Sequence, residues 1–459
     1  MKKITLFLLG NIILFSNLNT IVYAKEIKET NTSINENDKF NKITNLFEKA
    51  TDANKFMGSL TIRKDNKILY SKAFGNAYIS EKNTKKATTN TKYRIGSISK
   101  TFTSVLILQL IEEKKLTLDT KLSVFFPEIK NAEKITIDML LTHKSGIHSF
   151  TSSDKYLTYY TKDNTKEDIL NFIKEGGSNF EPNSKFEYSN SNFVLLSFII
   201  EKITKKEYKE VLKEKIIDKL GLKNTYYGSK TDINFEESYS YHLKNKEFIQ
   251  DTETNMSVPY GAGGIISNPE DLTYFITSLF EGKLVNKNTL DELKKIDGEY
   301  GKGIFMIPFY NKMALGHNGS IDGFLSILGY FRDDKVAIAI NSNYINYSMN
   351  NLILGALSYY YDKDFPLPDF KEKPEIEVDE TTLKSYEGTY SSKDFPLKIT
   401  IKIKNKKLFA QATGQSDFPI TATSKNEFVF KDADIFMKFE GNKMFFKQGE
   451  NELIFDREL

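Results

Sequence analysis

Tyr93-Arg94-Ile95-Gly96-Ser97-Ile98-Ser99-Lys100 opens the stretch on which the reading of this chain turns. Apolar residues follow at Phe102, Val105, Leu106, Leu108, Leu110 and Ile111, a density that predicts a well-buried helix over 97–115. Gly96 allows a tight entry into it. Ser97 falls at the helix start, where free backbone N–H groups and the positive dipole end favour developing negative charge. Lys100, three residues on, shares a helix face with Ser97. A serine hydroxyl is a poor nucleophile until a base takes its proton. A lysine amine can take part when burial and nearby charge lower its pKa. Ser-x-x-Lys by itself is a weak signal in a chain with 60 Lys, and Ser152-x-x-Lys155 matches it too. No apolar helix follows Ser152, so the buried helix selects Ser97.

Segments 58–63 and 68–74 read as strands around the turn Lys64-Asp65-Asn66-Lys67, after a helix over 41–55. Helical patterns dominate the middle of the chain. Thr165-x-x-Asp168 starts one, and Gly176-Gly177 ends it. Another runs from Tyr208 to Leu220 and stops at Gly221. Ser267-Asn268-Pro269-Glu270 reads as a capping box ahead of 272–280. Strands return at 324–331 and 336–341, followed by a helix over 348–361. Strands at both ends with helices between them predict an α/β unit whose two ends share one antiparallel sheet.

Two more motifs carry candidate chemistry. Tyr188-Ser189-Asn190 precedes an apolar helix over 193–203, and in an extended segment positions 188 and 190 face the same way. A tyrosinate is a competent general base if cations lower its pKa from about 10. The bland alternative is a loop tyrosine beside a helix-capping asparagine. Gly316-His317-Asn318-Gly319-Ser320 stands just before the strand at 324, and a glycine beside a strand permits close approach of a ligand. The N–H groups of Ser97 and Ser320 together suit an oxyanion hole. His317 in isolation reads as a satisfied turn histidine.

In order and spacing these motifs resemble the serine β-lactamase and penicillin-binding protein superfamily. The similarity is greatest to the branch holding class C β-lactamases, D-Ala-D-Ala carboxypeptidases, D-aminopeptidases and esterases. It covers about residues 55–362 and includes Leu140-Leu141-Thr142-His143-Lys144-Ser145-Gly146, Gly221-Leu222-Lys223-Asn224-Thr225, Gly263-Gly264-Ile265 and Gly323-Phe324. The resemblance implies a β-lactamase-like fold with a helical subdomain. It makes Ser97 the acylated nucleophile, with Lys100 and Tyr188 shuttling its proton. Asn190 would bond the substrate amide or Lys100. His317, Gly319 and Ser320 would line the substrate-binding strand and the oxyanion hole. His143 is not nominated as catalytic. Where β-lactamases often carry Lys-Thr-Gly, this chain has His317-Asn318-Gly319. That weakens recognition of a substrate carboxylate and argues against efficient β-lactam hydrolysis.

The implied function is an exported serine hydrolase, a carboxypeptidase-type peptidase acting on peptides that contain D-amino acids or derive from peptidoglycan. An esterase or a weak β-lactamase is the alternative, and a non-hydrolysing penicillin sensor is the rival of another class. The expected partners are small peptide, ester or β-lactam substrates, with peptidoglycan among the candidates, and no cofactor is called for.

Composition bounds the rest. Against 61 Asp+Glu stand 64 Lys+Arg, an even balance that excludes a dedicated nucleic-acid binder. No Cys is present, which excludes disulfides, thiolate metal sites and Cys nucleophiles, and the four His lack close metal-ligand spacing. Residues 1–24 read as a signal peptide: Lys2 and Lys3, then a short apolar run, then Val22-Tyr23-Ala24, leaving no membrane span after cleavage. Residues 25–40 are polar and expected to be disordered, 41–362 form the hydrolase domain, and 363–380 form a Pro-bearing linker. In the tail, Lys398-Ile399-Thr400-Ile401-Lys402-Ile403-Lys404 alternates strictly. About eight strand-like runs over 381–459 predict a small all-β barrel, similar to the lipocalin-like domain of some superfamily members.

Overall fold

The computed structural model describes residues 36–458 apart from 81–82, 299, 371–373, 394, 414–416, 431–434 and 449–450. The expected signal peptide, and the part of the expected disordered stretch before Glu36, lie outside the described residues. Residues 36–40 are not disordered: they begin helix α1 (Glu36–Asp52). Phe40 is the reason, since its ring stacks 5.6 Å from that of Tyr70 and extends the apolar face set by Ile43, Leu46, Phe47 and Ala50.

The main sheet has six antiparallel strands: β1 (Phe56–Lys64), β2 (Lys67–Phe74), β3 (Phe305–Phe309), β4 (Lys312–Ile321), β5 (Phe324–Phe331) and β6 (Val336–Ile345). Their order is β3-β4-β5-β6-β1-β2, so β1 and β2 pair with strands from the far end of the unit. Strand β6 is buried on both faces, and its alternation divides two cores. Val336, Ile338 and Ile340 face α1 and α5 (Met349–Tyr360), while Ala337 and Ala339 belong to the helical side. The small alanines let helices pack close there. Helices α2 (Ser99–Glu112), α3 (Asn190–Thr204) and α4 (Pro269–Phe280) build that larger core. Phe102 of α2 and Phe275 of α4 stack with centroids 3.6 Å apart.

The α4 cap differs from expectation by one residue. Asn268, not Ser267, accepts the N–H of Asp271, and Pro269 takes the first helical position, where its missing N–H costs nothing. Thr165 and Asp168 form the expected reciprocal capping box. Beyond the linker, eight strands from Gly388–Ser392 to Asn451–Arg457 close into a barrel. Ile399 and Ile401 of the alternating strand point inward to join Tyr390, Phe428, Met437, Met444 and Phe455. These side chains form a core of the barrel's own, separate from the buried clusters of the α/β unit. The fold is therefore a β-lactamase-like α/β unit followed by a closed eight-stranded barrel.

Candidate active site

Tyr93–Arg94 pairs antiparallel with Ile265–Ser267 and delivers the chain to Gly96, whose φ of +51° turns it into a short 3-10 helix, Gly96–Ile98, ahead of α2. Ser97 is the partly exposed residue of an otherwise buried stretch running from Thr91 to Leu110. Strand β4 presses against this turn. A Cβ on Gly319 would lie 1.9 Å from the carbonyl of Ile95 and 3.1 Å from the Ser97 nitrogen, and one on Gly96 would lie 2.8 Å from the Ser320 nitrogen. Only glycine fits at either position. The backbone N–H groups of Ser97 and Ser320 are thereby carried on two segments in direct contact.

Arg94, one of the chain's four arginines, locks these segments together. Its guanidinium donates to Asp322 at 2.9 Å, to Glu253 at 2.6 Å and to the Thr254 carbonyl at 2.7 Å. Asp322 follows Ser320 by two residues, so the pair joins the entry to Ser97 with the exit from β4. Both side chains of the Arg94–Asp322 pair are almost completely buried.

Lys100 Nζ lies 2.9 Å from Ser97 Oγ, 2.8 Å from Asn190 Oδ1 and 2.7 Å from the Ala262 carbonyl. All three partners are uncharged. Burial holds its pKa well below the ordinary lysine value. Tyr188 hydrogen-bonds Ser97 through its side chain, and its ring centroid is 4.9 Å from Lys100 Nζ. Its pKa is not lowered, as the tyrosinate expectation requires; burial pushes it up. Desolvation outweighs the hydrogen bond with Ser97, which acts the other way.

Asn190 donates from Nδ2 to Thr151 at 2.8 Å, which fixes its Oδ1 toward Lys100. Tyr188 is held from behind by His143. The Glu187 N–H donates to the His143 carbonyl at 3.0 Å, the Ser189 N–H donates to His143 Nδ1 at 3.1 Å, and the His143 ring lies 4.3 Å from that of Tyr188. His143 thus brackets the residues on either side of Tyr188, with a φ of +57° that turns the chain to do so.

Four of the sequence candidates therefore meet at one point: Ser97, Lys100, Tyr188 and Asn190. Gly319 lies against Ser97, and Ser320 is exposed while its backbone packs against Gly96. His317 is buried one ring from the centre, 6.5 Å from the Tyr188 ring between centroids. Ser152 is exposed, and Lys155 pairs with Glu175 at 3.0 Å on the surface. Three partners escaped the sequence reading. The Ala262 carbonyl sits in Gly261-Ala262-Gly263-Gly264, a run whose close packing hints at a backbone contact. Thr151 lies beside the decoy serine, and Tyr300 in a loop carries no local signal.

Comparison with known proteins places these residues in context. The Beta-lactamase family model matches residues 43–348. A teichoic acid D-alanine hydrolase of Staphylococcus aureus is 28% identical over 296 residues, covering 63% of this chain and 70% of the relative. The D-amino acid amidase of Ochrobactrum anthropi SV3 superposes with a TM-score of 0.62 at 24% identity, covering 71% of this chain and 99% of the amidase. The octameric penicillin-binding protein homologue of Pyrococcus abyssi gives 0.63 at 23% identity and covers 92% of this chain and 100% of the homologue. With the family model spanning most of the chain and enclosing the whole Ser97 constellation, this protein belongs to the beta-lactamase family.

Proposed function

We propose that this chain is an exported serine hydrolase that transfers a D-alanyl or related D-amino-acyl group from an ester or amide to Ser97 Oγ and then to water. The observation that carries the reading is the bonding of Lys100. A neutral amine has two N–H groups and one lone pair. Two of its partners, the carbonyl oxygens of Asn190 and Ala262, can only accept, and the third is a hydroxyl that can donate. The arrangement suits Lys100 as the base that takes the Ser97 proton, with buried Tyr188 relaying a proton to the leaving group. The N–H groups of Ser97 and Ser320 would stabilise the tetrahedral oxyanion, and water would then release the acid by the reverse path.

The acyl group is proposed from the relatives, whose names place them on D-alanine and D-amino acids. A carboxypeptidase or β-lactamase reading is less favoured. His317 is uncharged where such enzymes often carry a lysine for the substrate carboxylate, and burial lowers its pKa to about 3. Export rests on the signal-like residues 1–24. Among the described residues no helix is long and apolar enough to cross a membrane. Release of alanine from D-alanyl and L-alanyl esters and from D-alaninamide tests the reading. Native protein should release the D-product preferentially and Ser97→Ala should not; equal release by both proteins would remove it.

A further inference from the structure

Tyr300 makes a contact that the reaction outlined above does not use. Its hydroxyl lies 3.1 Å from Nε2 of His317. Nδ1 of the same ring lies 2.5 Å from the carbonyl of Asn318. A carbonyl only accepts, so Nδ1 carries a proton. Burial of the ring opposes a second proton on Nε2, which leaves Nε2 as the acceptor and the Tyr300 hydroxyl as the donor. Both nitrogens are then occupied and the ring is neutral. We infer that Tyr300 is a specificity-determining residue: it closes His317 into a neutral pair that offers no cation to a substrate carboxylate, so the site selects leaving groups without one. This deepens the D-amino-acyl reading and rests on it.

The pair is built to stay in place. Tyr300 is bridged on either side, to Asp297 and to Phe305, and Asp297 is tied to Lys144, the neighbour of His143. Lys302, almost fully buried, bonds both Asp138 and Glu292 at 3.1 Å and anchors the far side of the loop. The titratable groups around the His317 ring are Lys100 on α2, His143 just after the short helix Ile137–Leu141, Tyr188 before α3, and Tyr300 itself. Each lysine or imidazole proton added there opposes a second one on His317, and among the described residues no carboxylate acts on the ring. Tyr300 is buried, and its own pKa is held above the ordinary value by burial, so it remains a donor throughout the working range.

The test uses D-alanyl-D-lactate and its methyl ester, which share the scissile ester and differ in the leaving-group carboxylate. Native full-length protein should prefer the methyl ester. In Tyr300→Phe the hydroxyl that occupies the Nε2 lone pair is gone, so protonation of the ring is easier than in native protein although burial and Lys100 still oppose it. The preference should therefore shrink by about tenfold, more at about pH 5.5 than at about pH 8. Nitrogen-15 NMR of the imidazoles is the second readout. In native protein His317 should stay neutral in the Nδ1–H form down to about pH 5, and in Tyr300→Phe it should titrate higher. An unchanged ratio at both pH values in folded, active Tyr300→Phe would overturn the inference. So would a native His317 that titrates as an ordinary histidine. If native protein cleaves neither ester, the D-amino-acyl reading fails, and the imidazole titration still decides the pair.

Discussion

Lys100 Nζ stands 2.9 Å from Ser97 Oγ, at a buried position where every hydrogen-bond partner of the amine is uncharged. A catalytic serine needs a base that is unprotonated at working pH, and burial without a carboxylate is how a lysine becomes one.

This gives Lys100 a signature in stability as well as rate. Its folded pKa is depressed, so between that value and the unfolded value of about 10.4 the unfolded chain binds a proton that the folded chain does not. Its contribution to stability therefore rises with pH through that window and is unfavourable below it. Lys100→Met should lose about 10²–10⁴-fold in acylation rate. In thermal melts at neutral pH it should be at least as stable as the native protein, with a flatter pH dependence. A clear destabilisation would show that the lysine is charged and paired in the fold.

Tyr188→Phe keeps the ring that packs on His143 and removes only the hydroxyl. Loss of a positioned proton carrier should cost about 10²–10⁴-fold. The loss should be larger on an amide than on an activated p-nitrophenyl ester, whose leaving group needs no proton. Equal losses on both substrates would mean that the hydroxyl only orients Ser97.

Gly319→Ala places a methyl where the Ile95 carbonyl now sits, so β4 must retreat from Ser97. The separated oxyanion donors should lower kcat by about 10²–10³-fold. KM for a small ester should change much less. A variant with native kcat would show that Ser320 N–H takes no part.

The packing of residues 363–370 sets where the barrel can be removed. Tyr359 donates its hydroxyl to the Phe365 carbonyl at 2.9 Å, and the Phe370 ring lies 5.0 Å from that of Tyr347, so the start of the expected linker is packed on the hydrolase core. Truncation after Phe370 should leave a folded enzyme whose ratio of rates on short and long substrates is unchanged. Truncation after Asp362 should be less stable by about 1–3 kcal/mol, from the loss of aromatic burial. A shifted ratio after truncation at Phe370 would assign the barrel a part in substrate selection.

Much of this was legible in the sequence because the signals are local. Gly96-Ser97 with the apolar run behind it, Tyr188-Ser189-Asn190 before a helix, and the period-two pattern of 398–404 each declare their structure within a dozen residues. Helix α1 began earlier than expected because polar neighbours masked the single anchor Phe40. The partners that finish the site were not legible. The Ala262 carbonyl and the Tyr300 hydroxyl reach Lys100 and His317 from segments about 160 and 17 residues away, through contacts that leave no spacing to read. The direction of the Tyr188 shift was hidden for the same reason, since burial is a property of the assembled core.

The most direct test of the Ser97 assignment is intact-protein mass spectrometry after millisecond mixing with a D-alanyl ester and acid quench. The native protein should gain the mass of one D-alanyl group, peptide mapping should place it on Ser97, and it should disappear as D-alanine accumulates. Ser97→Ala should stay unmodified. An adduct on another residue, or D-alanine released by Ser97→Ala at the native rate, would contradict the account.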